Sequence, residues 1–325
     1  MVKIAEAPYR INVQLTVLAL AVGLFQLVVI PLFFLPQAPA LASAVVLLLS
    51  LATPLNRALL HEAIHGRLAR RRNWNDRLGR ALAVSSGIAF DAIRFGHLAH
   101  HRFPRHALDR ADVIEPGENR VAVCVNYYGG LLGGIFLREI LASAVMLLPR
   151  RAIEFLTDHA LQKDDSITVL RGAIRRSLDR RLGRARIDLM FVALIYAGSF
   201  YLYGDCWPIL LVGIAARALI ISLQDNVAHY GTAAVLGTAA HNSYASRWAS
   251  LFMLNQNLHG VHHDRPELPW NVLPDALEST GNGYAGSYFA LLIKQFFGPR
   301  RPDATTGAVP QDSDRTSYSG LTAAE

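Results

Sequence analysis

The chain has 325 residues, 52% of them hydrophobic, a formal net charge of +7 and a mean hydropathy of +0.25. That length allows one large domain or two ordinary ones, but the composition is too apolar for a typical soluble enzyme. Cys124 and Cys206 stand alone without a C-x-x-C spacing, which argues against a disulfide framework and against a cysteine metal site.

The apolar residues come in blocks. Residues 11–35, INVQLTVLALAVGLFQLVVIPLFFL, and 40–55, ALASAVVLLLSLATPL, carry no charge. A bilayer core is crossed by roughly 20 predominantly apolar helical residues, so the first block spans, and the second does so by running on to Leu60. The first run is too long for a signal-peptide core, and no small-residue cleavage site follows it. Residues 127–149 form a third apolar stretch, with four glycines near its start and Arg138 and Glu139 at its centre. A charged pair at the bilayer midplane is costly, about 2.5 to 3.5 kcal/mol for an arginine on insertion scales, so an interfacial or half-inserted helix is expected there. Residues 187–203 and 207–223 flank a short Gly-Asp-Cys and read as a helical hairpin.

The basic residues orient these spans. Eleven arginines lie between 61 and 126 and ten Arg or Lys between 150 and 186, whereas 36–39 and 204–206 have none. The positive-inside rule makes both basic stretches cytoplasmic. The expected fold is therefore an all-α integral membrane protein. Four transmembrane helices (11–35, 40–60, 187–203 and 207–223) form two hairpins, with a membrane-dipping segment at 127–149 and both termini cytoplasmic. Residues 1–302 form one domain, and the polar tail 303–325 is expected to be disordered. No internal repeat is evident. The basic residues adjoin spans and lack interleaved aromatics, so anionic lipid headgroups account for them and no nucleic-acid partner is expected. Arg57 and Arg217, towards the cytoplasmic ends of spans, are expected to snorkel.

Nine of the twelve histidines fall in four groups on that cytoplasmic side. His61 and His65 lie in HEAIH, His97, His100 and His101 in HLAHH, His229 in QDNVAHYG, and His259, His262 and His263 in HGVHH; His106, His159 and His241 stand apart. Residues three or four apart share a helix face about 5 to 6 Å apart at Cβ. Adjacent histidines diverge by about 100°, so one H-x-x-H-H helix can serve two ions side by side. Two such motifs with H-x-x-x-H can enclose a dinuclear centre, held by a helical cap on the cytoplasmic side. HEAIH also fits the H-E-x-x-H zinc-protease signature, with Glu62 as base. That chemistry needs one further ligand and a water, and has no use for three more histidine groups. An all-nitrogen ligand set suits Fe, Zn, Cu or Ni without selecting among them.

HEAIH, HLAHH and HGVHH, in this order and placed two after the first hairpin and one after the second, resemble the histidine boxes of the membrane fatty acid desaturase/hydroxylase superfamily. HDRPELPW (263–270) adds to the resemblance, which covers roughly residues 15–290. It implies a di-iron centre that uses O2 as co-substrate, and it makes His229 the additional metal ligand, giving nine in all. Some members place an Asn four residues before that histidine to hold a metal-bound water; here Asp225 stands there, with Asn226 one position later. Glu62, Asp109, Asp112, Asp225 and Asn226 are candidates to orient ligand imidazoles or a bound water. No H-P-G-G stretch is present, so electrons are expected from a separate ferredoxin-, rubredoxin- or cytochrome-type carrier. The implied substrate is a lipid acyl chain or another long apolar molecule, and the implied reaction is desaturation. Carotenoid hydroxylation or ketolation and alkane hydroxylation use the same boxes. A non-catalytic metal transporter would need a polar path through the spans, which offer few polar groups.

Overall fold

The structure is a computed structural model that describes residues 7–106, 109–160, 167–232, 239–281 and 283–301. The expected tail, 303–325, lies outside the described residues. Their regular structure is all helical, with only isolated bridges such as Val113 with Arg300 and no strand among them. Four apolar helical stretches are long enough to cross a membrane: Tyr9–Phe34, Pro39–Ile64, Arg120–Val145 and Leu170–Val227. The protein is thus an integral membrane protein, as its apolar blocks imply.

The first stretch is α1 (Tyr9–Leu24), which widens into a π-helix over Phe25–Phe34. Pro31 lies inside that widened part, where its missing N–H already disturbs the ordinary ladder. The second is α2 (Pro39–Ser50) and α3 (Thr53–Ile64), separated by a turn at Leu51 and Ala52. Two helices make up the last stretch: α9 (Ile167–Tyr203) and α10 (Trp207–Val227) meet at a 3-10 turn over Gly204–Cys206. The sequence locates that hairpin correctly, although α9 begins well before its apolar part.

Between these lie α4 (Arg72–Ser85), α5 (Phe90–Arg102) and the third stretch. In that stretch α6 (Arg120–Gly129) is capped by the Asn119 side chain and gives way to a π turn at Gly130–Gly134, then α7 (Ile135–Val145). Gly133, at φ 118°, breaks the helix in mid-course, a conformation open to glycine and strained for other residues. By length and composition alone this segment can also cross, so its depth is not set by its helices.

Several polar side chains within the apolar bundle are paired, as a medium without water favours. Gly213 of α10 lets α2 approach so closely that an added Cβ would meet Val46 Cγ1 at 2.6 Å. Gln26 beside it donates to Val46 O and Ser50 Oγ, each at 3.3 Å. Arg217 turns inward to Gln26 Oε1 (3.2 Å), Tyr196 Oη (3.0 Å) and Ser85 O (3.2 Å) instead of snorkelling. Arg57 is likewise drawn in, between Glu139 of α7 and Asp225 of α10. These pairs answer the cost of placing Glu139 among apolar helices.

A core of Leu59, Leu60, Ala63, Phe90, Phe136 and Leu254 gathers α3, α5, α7 and the chain after α11 (Arg247–Phe252) around the base of the bundle. Asp188 of α9 accepts from Arg80 (2.6 Å) and from the Phe90 backbone N–H (3.1 Å), fixing the start of α5. The remaining helices are α8 (Arg150–Ala160), α12 (His259–Asp264), α13 (Leu273–Thr280) and α14 (Tyr288–Lys294).

Candidate metal centre

Four segments deliver the histidines. His61 and His65 close α3, and the turn after them is held by buried Asn75, which donates to Ala63 O (2.9 Å) and accepts from Leu68 N (3.0 Å). The last turns of α5 carry His97, His100 and His101. His229 sits in the turn just after α10, and α12 carries the rest. Gly260 lets α12 pack tightly: a Cβ there would lie 2.9 Å from Ala240 O and from the Asn242 amide. Trp270 Nε1 donates to Asn12 Oδ1 (2.9 Å), and Asn12 Nδ2 donates to Arg67 O (3.1 Å). The P-E-L-P-W after the last box thereby ties α12 to the turn that follows HEAIH.

The nine histidines form two groups, His61, His65, His97, His101 and His262, and then His100, His229, His259 and His263. Within each group the nitrogens on offer lie within 4.8 Å of one another. Each i, i+4 pair stays together, while the i+3 residue of each H-x-x-H-H crosses to the other group. α5 thus gives two histidines to the first group and one to the second, and α12 does the reverse. So divided, each of these helices could serve two ions side by side.

In the first group, His97 Nε2 lies 2.9 Å from His65 Nε2 and 3.1 Å from His101 Nε2, which lies 3.0 Å from His262 Nε2. A neutral imidazole nitrogen is a donor or an acceptor, never both. Even with donors and acceptors alternating along this row of four, either His101 would have to share one N–H between two acceptors and His97 take two protons on one lone pair, or the reverse. Lone pairs converging on one cation avoid this conflict: ligand nitrogens about 2.1 Å from an ion and about 90° apart are roughly 3 Å from each other. His61 Nε2 is buried without a hydrogen-bond partner, a further lone pair available to the group. Burial, and secondarily the neighbouring imidazoles, push His97, His101, His262 and His263 well below the ordinary histidine value. At neutral pH these rings are uncharged and their lone pairs are open to a metal. The donor set and its geometry thus fit a pair of metal ions.

The outer nitrogens fix the tautomers. His229 Nδ1–H donates to Ala239 O (2.9 Å), and burial lowers this imidazole to about 3. His100 Nδ1 is 2.6 Å from Asp109 Oδ2, leaving Nε2 to face His263 Nε2 at 3.2 Å. The Asp109 carboxyl, which burial alone would raise, is held below its ordinary value by His100. Gln256 Nε2 lies 3.1 Å from His61 Nδ1; with the amide turned over, its Oε1 would accept the Nδ1 proton and leave His61 Nε2 to a metal.

Asp109 is the one carboxylate among the expected orienting residues that hydrogen-bonds a grouped histidine among the described residues. Glu62 is buried against the backbone N–H of Trp270. Asp112 binds Arg105 (2.6 and 3.1 Å) and the Gly231 N–H (2.7 Å), bracing the turn that carries His229. Asp225 belongs to the Arg57 pair, and the Asn226 amide donates to Gln295 Oε1 (2.8 Å). Gln256 and the Ala239 carbonyl were not anticipated: Gln256 has no signal beyond lying three residues before a box, and a backbone carbonyl has none. His241, outside the groups, faces Tyr230 O (3.2 Å).

Replacing Asp109 with Asn is expected to weaken metal retention by the second group about 10- to 100-fold, as loss of an outer carboxylate partner does elsewhere. Metal content of the purified variant after graded chelation checks this, and an unchanged profile would remove Asp109 from the site.

A cavity of about 550 Å³ opens beside both groups. His61, His97, His100 and His259 form one wall, and Arg138 and Glu139 lie on another. A family model described as fatty acid desaturase matches residues 36–290. No curated protein matches the chain.

Proposed function

The chain belongs to the fatty acid desaturase family, and on that premise we propose that it is an O2-dependent di-iron desaturase that places a double bond in a lipid acyl chain. What supports this reading is the convergence of nine imidazoles in sets of five and four beside a cavity at the end of apolar helices. Residues 1–302 act as one domain, with the ion-binding side facing the cytoplasm.

In the reaction, two hydrogens leave adjacent carbons of the chain, and O2 takes them up with two electrons and two protons to give two waters. When bound, the iron pair supplies the oxygen-activating chemistry. His61, His65, His97, His101 and His262 hold one ion, and His100, His229, His259 and His263 hold the other. Asp109 and the Ala239 carbonyl keep Nδ1 protonated on His100 and His229, so that Nε2 carries the lone pair of each. The cavity aligns the chain, since regioselectivity requires one pair of carbons to sit against the histidine wall. A separate carrier delivers the electrons.

Hydroxylation of the same C–H bond needs the same ligands, so the product decides between them. Expression in a host of defined lipid composition, followed by mass spectrometry, is expected to reveal acyl chains lighter by two hydrogens. Chains that gain one oxygen would make the protein a hydroxylase. Purified protein holding one zinc and no iron would overturn the reading.

A further inference from the structure

The C-terminal strap, residues 283–298, has two unlike faces. On one, Tyr288 and Leu291 of α14 line the cavity beside the histidines. The strap is tied down by buried Gln295, whose backbone carbonyl accepts from Tyr127 Oη (2.6 Å) and whose amide meets Asn226 (2.8 Å) and Leu223 O (3.4 Å). Tyr128 adds a bond to Phe296 O (3.1 Å). These partners belong to α6 and to the last turn of α10, both parts of membrane-length apolar stretches.

The other face is apolar and uncovered. Phe289 is 71% exposed and Phe297 82%, with Ile293 and Phe296 also exposed. Tyr244 pairs with Ser287 and stacks edge-on against Tyr284 at 6.0 Å, which brings the start of the α11 segment alongside. That segment contributes Trp248, 80% exposed, and Phe252. Val121 and Val125 continue the uncovered surface along α6. Arg247 and Lys294 are exposed within the same two helices.

Water makes so large an aromatic surface unfavourable, whereas the headgroup boundary of a bilayer favours it. We propose that α11 and the 283–298 strap form an interfacial anchor, with the aromatic side chains seated at the boundary of headgroups and acyl chains. The occupant is the bilayer itself, because the patch is tied directly to α6 and α10. Arg247 and Lys294 meet the headgroups, which favours an anionic leaflet. The strap is then the lipid-side wall of the cavity, and an acyl chain enters past Tyr288 and Leu291 without leaving the membrane. This entry route rests on the acyl-chain reading above; the anchoring does not.

Spin labels test the anchor without any turnover. The full chain, with Cys124 and Cys206 changed to Ser, would carry one nitroxide at Trp248→Cys, Phe297→Cys or Glu278→Cys. Each would be placed in nanodiscs of phosphatidylcholine and phosphatidylglycerol. Labels at 248 and 297 are expected to be relaxed several-fold more by O2 than by chromium oxalate, with the order reversed at 278. Relaxation at 248 and 297 mainly by chromium oxalate would place the patch in water and overturn the proposal. Protection from both agents would mean a protein partner or a second copy, which also overturns it. If labelling prevents folding, the Trp248→Phe variant replaces it: brominated lipid should quench less of its tryptophan emission than of the wild type's, and equal quenching would sink the anchor.

Discussion

The His101→Ala variant is expected to lose at least one of its metal ions and nearly all turnover while still inserting into the membrane. His101 Nε2 lies between His97 Nε2 (3.1 Å) and His262 Nε2 (3.0 Å), and its ring stacks on His263 of the other group at 4.3 Å. Removing it opens the first group at its middle and takes away a ring packed against the second group. Losing an outer partner of a ligand costs about 10- to 100-fold, and losing the ligand itself is expected to exceed that, so a fall of more than ~100-fold in rate is anticipated. Iron per chain and product formation are the measurements, with His262→Ala expected to behave alike. His241→Ala is the control: its ring faces Tyr230 O and belongs to neither group, so metal content should persist. Full metal and activity in His101→Ala would strike that residue from the ligand set.

The Arg57→Leu variant is expected to show the largest loss of stability. Arg57 joins Glu139 and Asp225 in a three-residue cluster, with side chains 15%, 14% and 27% exposed. Leucine would leave two carboxylates facing each other with no cation between them. Breaking a buried pair from one side costs about 3–5 kcal/mol, because a charge stays behind without compensation. Glu139→Gln should cost less, since Arg57 then keeps Asp225. The damage should also reach the metal site. Asp225 precedes Asn226, whose backbone carbonyl accepts from His229 N at 3.1 Å. Thermal unfolding of the detergent-solubilised variants, with metal content measured alongside, tests both parts. Arg57→Leu unfolding within a degree or two of the wild type would show the cluster to be dispensable.

The roles of other residues are legible in the sequence to different degrees. Asp109 and Asp112 are two acids three residues apart, equally plausible as orienting groups from sequence. Asp109 reaches His100, whereas Asp112 is taken by Arg105 and the Gly231 N–H. The segment 127–149 shows its glycines and its charged pair in sequence, but not that Glu139 meets Arg57 more than eighty residues away in the chain.

By itself the sequence determined that helices cross a membrane, where the α9–α10 hairpin turns, and that His61 and His65 share a helix face. These follow from bilayer thickness and helix pitch, which act on neighbours in the chain and so leave a periodic trace. The tertiary structure alone decided that His262 joins the group of His61 while His263 joins that of His229, that Gln256 meets His61, and that Arg217 turns inward. Those outcomes depend on the relative rotation of separate helices. Packing between distant segments sets that rotation, and no local spacing records it.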